Sequence, residues 1–162
     1  YFDLVDFDKD GHLDIIYTCG DNADYSPVFK PYHGVYIYTN NGKNEFSKTF
    51  FYQINGCYKA IADDFDADGD LDLATIAFFA DYESKPDEGF VYFENQGNWK
   101  LSPFTLPETR TGRWLTMDAG DLDGDGRTDL VLGNFSIGPI MRKPVYNWRE
   151  GPAFLVLKNL GK

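Results

Sequence analysis

An all-β fold built from repeated antiparallel sheets is what this sequence predicts, on three observations. The acidic pattern D-x-D-x-D-G-x-x-D occurs complete as Asp6-Asp8-Asp10-Gly11-Asp14, Asp64-Asp66-Asp68-Gly69-Asp72 and Asp121-Asp123-Asp125-Gly126-Asp129. The copies recur with a period of about 57 residues, and self-similarity at a fixed period marks an array of one supersecondary unit. Each copy runs into a short apolar stretch rich in β-branched and aromatic residues, at 13–18, 71–78 and 128–133, where an EF-hand loop would lead into a helix.

Each acidic loop has the donor chemistry of a calcium site. Carboxylates at the first, third, fifth and ninth positions supply the oxygens a hard cation requires, and glycine at the sixth permits the sharp backbone turn between them. The seventh residue, His12, Asp70 or Arg127, is expected to offer only its backbone carbonyl. One such loop is compatible with a solvated acidic turn; three in phase point to about three bound Ca²⁺ ions.

Within the second repeat, strands are expected at 59–64, 71–79, 89–95 and near 99–106, with the calcium loop joining the first to the second. Asn40-Asn41-Gly42, Asn95-Gln96-Gly97 and Asn159-Leu160-Gly161 each close a β-rich run, as an Asn/Gly turn after a strand does. No helical stripe of useful length competes. Four strands in a period of this size describe a β-propeller blade, whose twisted sheet buries its faces against its neighbours, and an aromatic content of 17% suits that packing. The chain reads as one partial propeller over 1–162, with approximate repeats 1–58, 59–115 and 116–162.

The loops, their position between the first and second strands, and the period resemble the FG-GAP or VCBS repeats and the calcium-bearing blades of integrin α-subunits. The resemblance covers nearly the whole chain. Gly133-Asn134-Phe135 with Gly138-Pro139 matches the family's FG and GAP elements only loosely, and the first two repeats lack them. It implies a seven-bladed ring of a secreted, periplasmic or cell-surface protein that serves binding or scaffolding. Such a ring needs roughly 400 residues, so about three blades are expected here, as a C-terminal portion of a longer propeller or as a short chain that assembles with neighbours. Either way the wedge should expose two apolar blade faces.

The formal charge is −11, unsuited to nucleic acid or an anionic membrane, and four acidic ligands in each loop are its main source. Three Ca²⁺ would bring it to −5, so calcium should stabilise the fold by mass action, and millimolar extracellular calcium suits loops of modest affinity. No apolar run reaches the roughly 20 residues that cross a bilayer. Cys19 closes the second strand of one blade and Cys57 opens the next, on the side away from the calcium loops. A disulfide and a pair of free thiols are both compatible with that placement.

That same side is the expected ligand face, for a protein or glycan partner. Its candidates are Tyr25, His33, Tyr58, Tyr82, Arg113, Trp114 and Trp148, with Asp24, Tyr32, Phe135 and Arg142 nearby, since exposed aromatics beside charged groups make rigid stacking surfaces with polar edges. Blade packing is the competing role for Tyr58 and Trp114, which occupy matching positions. Catalysis finds little support: of two histidines, His12 lies in a calcium loop and His33 has no evident nucleophile at a fixed spacing. A polysaccharide lyase-like enzyme, or a structural domain fused to a catalytic or redox domain, remains the alternative to a binding module.

Overall fold

In a computed structural model of the chain, which describes residues 1–20, 28–136 and 146–161, eleven strands form three antiparallel sheets. The first sheet holds β1 (Phe2–Val5), β2 (Asp14–Cys19), β3 (Gly34–Asn40) and β4 (Phe46–Gln53), paired in sequence order. The second holds β5 (Cys57–Asp63), β6 (Asp72–Ala77), β7 (Phe90–Asn95) and β8 (Leu101–Phe104) in the same meander. In the third, β9 (Trp114–Gly120) and β11 (Phe154–Leu157) flank β10 (Asp129–Asn134). The four strands expected for the second repeat are all present within two or three residues of their anticipated ends. Two short 3-10 turns, Pro86–Gly89 and Pro107–Thr111, are the helical elements among the described residues.

The strands alternate faces with the two-residue period of a pleated sheet, and successive sheets share what they bury. Ile16, Val35 and Ile37 of the first sheet pack against Ala60, Leu73, Ala77, Val91 and Phe93 of the second. The other face of the second sheet, with Ala74, Ile76 and Phe90, packs on Trp114, Met117, Leu130 and Leu132 of the third. β6 is therefore covered on both sides and buried along its whole length, Asp72 and Thr75 included, whereas β4 on the outside is mostly exposed. The first two strands of each sheet lie beside those of the next, so the three sheets fan out from their inner strands as blades do.

Specific bonds tie the fan together. Thr18 Oγ1 donates to the Tyr58 carbonyl at 2.8 Å, Lys59 Nζ to the Met117 carbonyl at 2.6 Å, and Arg113 Nε to the Phe78 carbonyl at 3.0 Å. The join between the first two sheets is close-packed at backbone level: a Cβ on Gly20 would collide with the Cys57 backbone, and one on Gly56 with that of Phe79.

Two faces of the fan stay open. Phe2, Leu4 and Tyr17 project with Ile15, Tyr36 and Phe51 from the free side of the first sheet, where Tyr36 stacks on Phe51 with ring centroids 4.5 Å apart. Phe154 and Val156 project from the free side of the third.

Candidate metal centres and the opposite face

Each acidic loop bridges the first and second strands of its sheet, so all three lie at one end of the fan. The backbone repeats as closely as the sequence. The fourth residue is left-handed in every copy, Lys9 at φ 60°, Ala67 at 60° and Gly124 at 79°, and so is the sixth, Gly11 at 92°, Gly69 at 98° and Gly126 at 84°. This path curls the amides inward: the sixth-position N–H donates to the first aspartate at 3.0, 3.0 and 2.9 Å in turn. The seventh N–H donates to the fifth aspartate at 2.9, 2.8 and 2.9 Å.

The carboxylates converge. In the first loop Asp6, Asp8 and Asp10 each bring an oxygen within 4.8 Å of the others, as do Asp64, Asp66 and Asp68 in the second and Asp121, Asp123 and Asp129 in the third. Oδ1 of Asp6 is buried and accepts no hydrogen bond, an uncompensated acceptor aimed among like charges. Crowding raises the Asp8 carboxyl above the usual range, through partial desolvation first and then the neighbouring Asp14 and Asp10 charges. A hard oxygen set with an orphaned acceptor and mutual repulsion fits a divalent cation. In the first two loops the first, third and fifth aspartates would hold it; in the third, the first, third and ninth.

The ninth aspartates have a second role that the motif does not reveal. Asp14, Asp72 and Asp129 are buried, and each clasps the turn after the third strand of its own sheet. Asp14 accepts from the Asn40 N–H at 2.9 Å, Asp72 from the Asn95 N–H at 2.8 Å, and Asp129 from the Asn159 N–H at 2.7 Å. Those asparagines reciprocate: their Nδ2 groups donate to the carbonyls of Leu13, Leu71 and Thr128 in the loops. Burial raises the Asp72 carboxyl, against the lowering effect of the Asn95 N–H and of the Tyr92 hydroxyl, which donates at 2.6 Å. Loop and turn thus form one unit in each blade, and Asn159 Nδ2 also reaches the Phe65 carbonyl in the neighbouring loop at 2.5 Å.

The third loop differs in its surroundings. Arg127, expected to contribute a carbonyl alone, places its guanidinium against the Asp125 carboxylate, and the Lys158 ammonium pairs with Asp123. The latter pairing lowers the Asp123 carboxyl. Among the described residues, no Lys or Arg pairs with Asp6, Asp8, Asp10 or Asp14 of the first loop.

At the opposite end the expected ligand face divides. Tyr25, Asp24 and Arg142 lie outside the described residues. His33 and Trp114 do not belong to a surface: His33 is 1% exposed and Trp114 fully buried. Backbone geometry explains both. His33 caps the entry to β3, taking the Gly56 N–H on Nδ1 at 3.4 Å, while the Trp114 indole lies in the core between the second and third sheets and donates to the Thr109 carbonyl at 2.7 Å. Tyr58, the residue matching Trp114, is instead 43% exposed, because the strand bulges between Cys57 and Lys59 and turns the side chain outward.

Tyr82, Arg113 and Trp148 meet in one cluster. The Arg113 guanidinium lies 3.8 Å from the Phe78 ring centroid and 5.8 Å from that of Trp148, whose indole is 4.7 Å from Tyr82. Desolvation lowers the Arg113 basicity, and the Tyr82 hydroxyl donates to the Ala77 carbonyl at 3.0 Å, so much of this cluster is spent joining two blades. Tyr32 and Phe135, also expected along this face, are exposed at the same end. Both cysteines are free thiols, Cys19 half-buried and Cys57 buried.

Three blade-like sheets, each with an acidic loop between its first two strands, define a repeat protein of the propeller class. Family comparison agrees: the FG-GAP-like repeat model matches residues 6–75 and again 64–132. The chain belongs to the FG-GAP-like repeat family. A search of curated proteins returns no match.

Proposed function

We propose that this chain is a calcium-stabilised portion of a β-propeller that works outside the cytoplasm and binds a protein or glycan partner. The observation that carries the reading is the convergence of three carboxylates in every loop, with Asp6 Oδ1 lacking any donor. An extracytoplasmic site of action accords with loops of this donor count, which fill at extracellular calcium levels, and no helix among the described residues is long and apolar enough to cross a membrane. The partner surface is the end away from the loops, where Tyr32, Tyr58 and Phe135 are exposed beside the Tyr82, Arg113 and Trp148 cluster. The open sheet faces are covered by further blades, from a longer chain or from neighbouring chains, since apolar faces of this kind are seldom left to solvent.

Calorimetric titration of the chelator-stripped chain with Ca²⁺, with thermal melts alongside, tests the reading. About three sites and a calcium-dependent rise in Tm are expected; absence of binding overturns it. For the partner surface, glycan-array binding that Tyr58→Ala weakens without lowering Tm is the expected result. Unchanged glycan and protein binding in that variant would remove Tyr58 from the surface.

A further inference from the structure

The aromatic cluster at the end away from the acidic loops has donors left over after joining two blades. Arg113 gives its Nε–H to the Phe78 carbonyl at 3.0 Å, and its guanidinium lies among rings, 3.8 Å from the centroid of Phe78, 5.3 Å from that of Phe79 and 5.8 Å from that of Trp148. Among the described residues no Asp or Glu pairs with it. Burial lowers its basicity, and the group that works against this is the Tyr82 hydroxyl, a neutral dipole rather than a charge. The neighbouring indole is also unfinished. Trp148 Nε1 is buried and meets no acceptor among the described residues, whereas the Trp114 indole donates to the Thr109 carbonyl at 2.7 Å. A partly desolvated cation and a buried donor without an acceptor each carry a cost that an incoming anion would relieve.

We propose, resting on the partner-surface reading above, that Arg113 and Trp148 form a subsite between the second and third blades for the carboxylate of an acidic saccharide, a hexuronate. Charge and donors select the carboxylate: one cation balances one negative charge, and the guanidinium and indole N–H groups together offer donors to both of its oxygens. A dianionic phosphate would leave a negative charge uncompensated on a chain that already carries −11. The surroundings select a sugar over an acidic peptide. Phe135 is exposed and its ring lies 5.8 Å from that of Phe78, so flat apolar surface suited to the C–H face of a pyranose adjoins the charged group.

The Trp148 indole N–H is its own reporter, and the Trp114 indole, already bonded within the core, is the internal control. ¹H–¹⁵N NMR of the ¹⁵N-labelled chain in calcium, titrated separately with D-glucuronate, D-glucose and an end-blocked aspartyl peptide, tests the proposal; Trp148→Phe assigns the signal by removing it. Glucuronate should shift the Trp148 resonance saturably and leave Trp114 in place, with glucose and the peptide at least about tenfold weaker. Arg113→Gln should weaken glucuronate by about tenfold or more. Should that variant not fold, Trp148→Phe, which keeps a ring and loses the N–H, should still weaken glucuronate severalfold in ligand-observed NMR. Glucose matching glucuronate overturns the carboxylate assignment, a peptide that matches or exceeds it overturns the saccharide, and a Trp148 resonance unmoved by all three overturns the subsite. That last result leaves the partner-surface reading in place if glycan-array binding still depends on Tyr58; loss of both sinks the reading on which the subsite rests.

Discussion

Asp72 shows how much a single motif position carries. Its carboxylate is buried and holds the Asn95 amide and the Tyr92 hydroxyl, so it joins loop, turn and third strand before any ion arrives. Asp72→Ala should cost about 3 kcal/mol in urea denaturation, and the loss should persist in chelator, because two charge-assisted bonds vanish and a buried amide is left unpaired. A loss confined to calcium-containing buffer would make Asp72 a metal ligand alone. The motif announced this residue as a ligand but not as a clasp, since which turn lies under which loop depends on sheet pairing. Likewise Asn40, Asn95 and Asn159 read as turn formers, and their side-chain bonds to the loops became visible only with the fold. Cys57 offers a second check at this scale. Burial pushes its thiol well above the usual range, so at pH 8 it stays protonated and non-nucleophilic. Alkylation by iodoacetamide in the folded state should mark Cys19 and spare Cys57; equal labelling would mean that the join between the first two sheets opens readily.

At the level of elements, the strands were legible because their faces are simple. A run such as Asp72–Ala77, with Leu73 and Ala77 on one face and Ala74 and Ile76 on the other, belongs between two other layers, and it lies there. The far end was less legible. Tyr58 and Trp114 hold equivalent sequence positions, yet a bulge turns one to solvent and a Gly112 contact admits the other's ring to the core. No local signal in the sequence separates them. Trp114→Ala should therefore cost about 3–5 kcal/mol in folding stability, as truncation of a buried aromatic does, and should act on the Tm before any partner. A mild effect would mean that the second and third sheets repack easily. In the loops, Asp66→Ala should abolish or weaken one calcium site by calorimetry while two remain, and unchanged stoichiometry would remove Asp66 from the ligand set. Ala67→Gly should raise stability by up to about 1 kcal/mol, because alanine gains nothing from the left-handed conformation it holds at φ 60°.

Over the whole molecule, charge and shape pull in one direction. A formal charge of −11 is concentrated at the loop end, and three divalent ions would reduce it to −5. Each filled site at a hundredfold excess over its Kd should raise Tm by about 5–10 °C for a chain of this size, read by calorimetry with and without chelator. Composition and period made the array legible, together with the two apolar faces exposed on its outer sheets. The seam between the first two sheets bears on how an array of this kind can vary. Gly20 and Gly56 lie against the backbones of Cys57 and Phe79 with no space for a side chain. Extra residues inserted there would prise the inner strands apart, and because Gly20 and Phe79 belong to the segments that follow β2 and β6, those segments are anchored where they leave their strands. Diversification by insertion is thereby directed past that anchor, so the same two glycines that keep neighbouring blades in step also fix the points from which the rim opposite the acidic loops can grow.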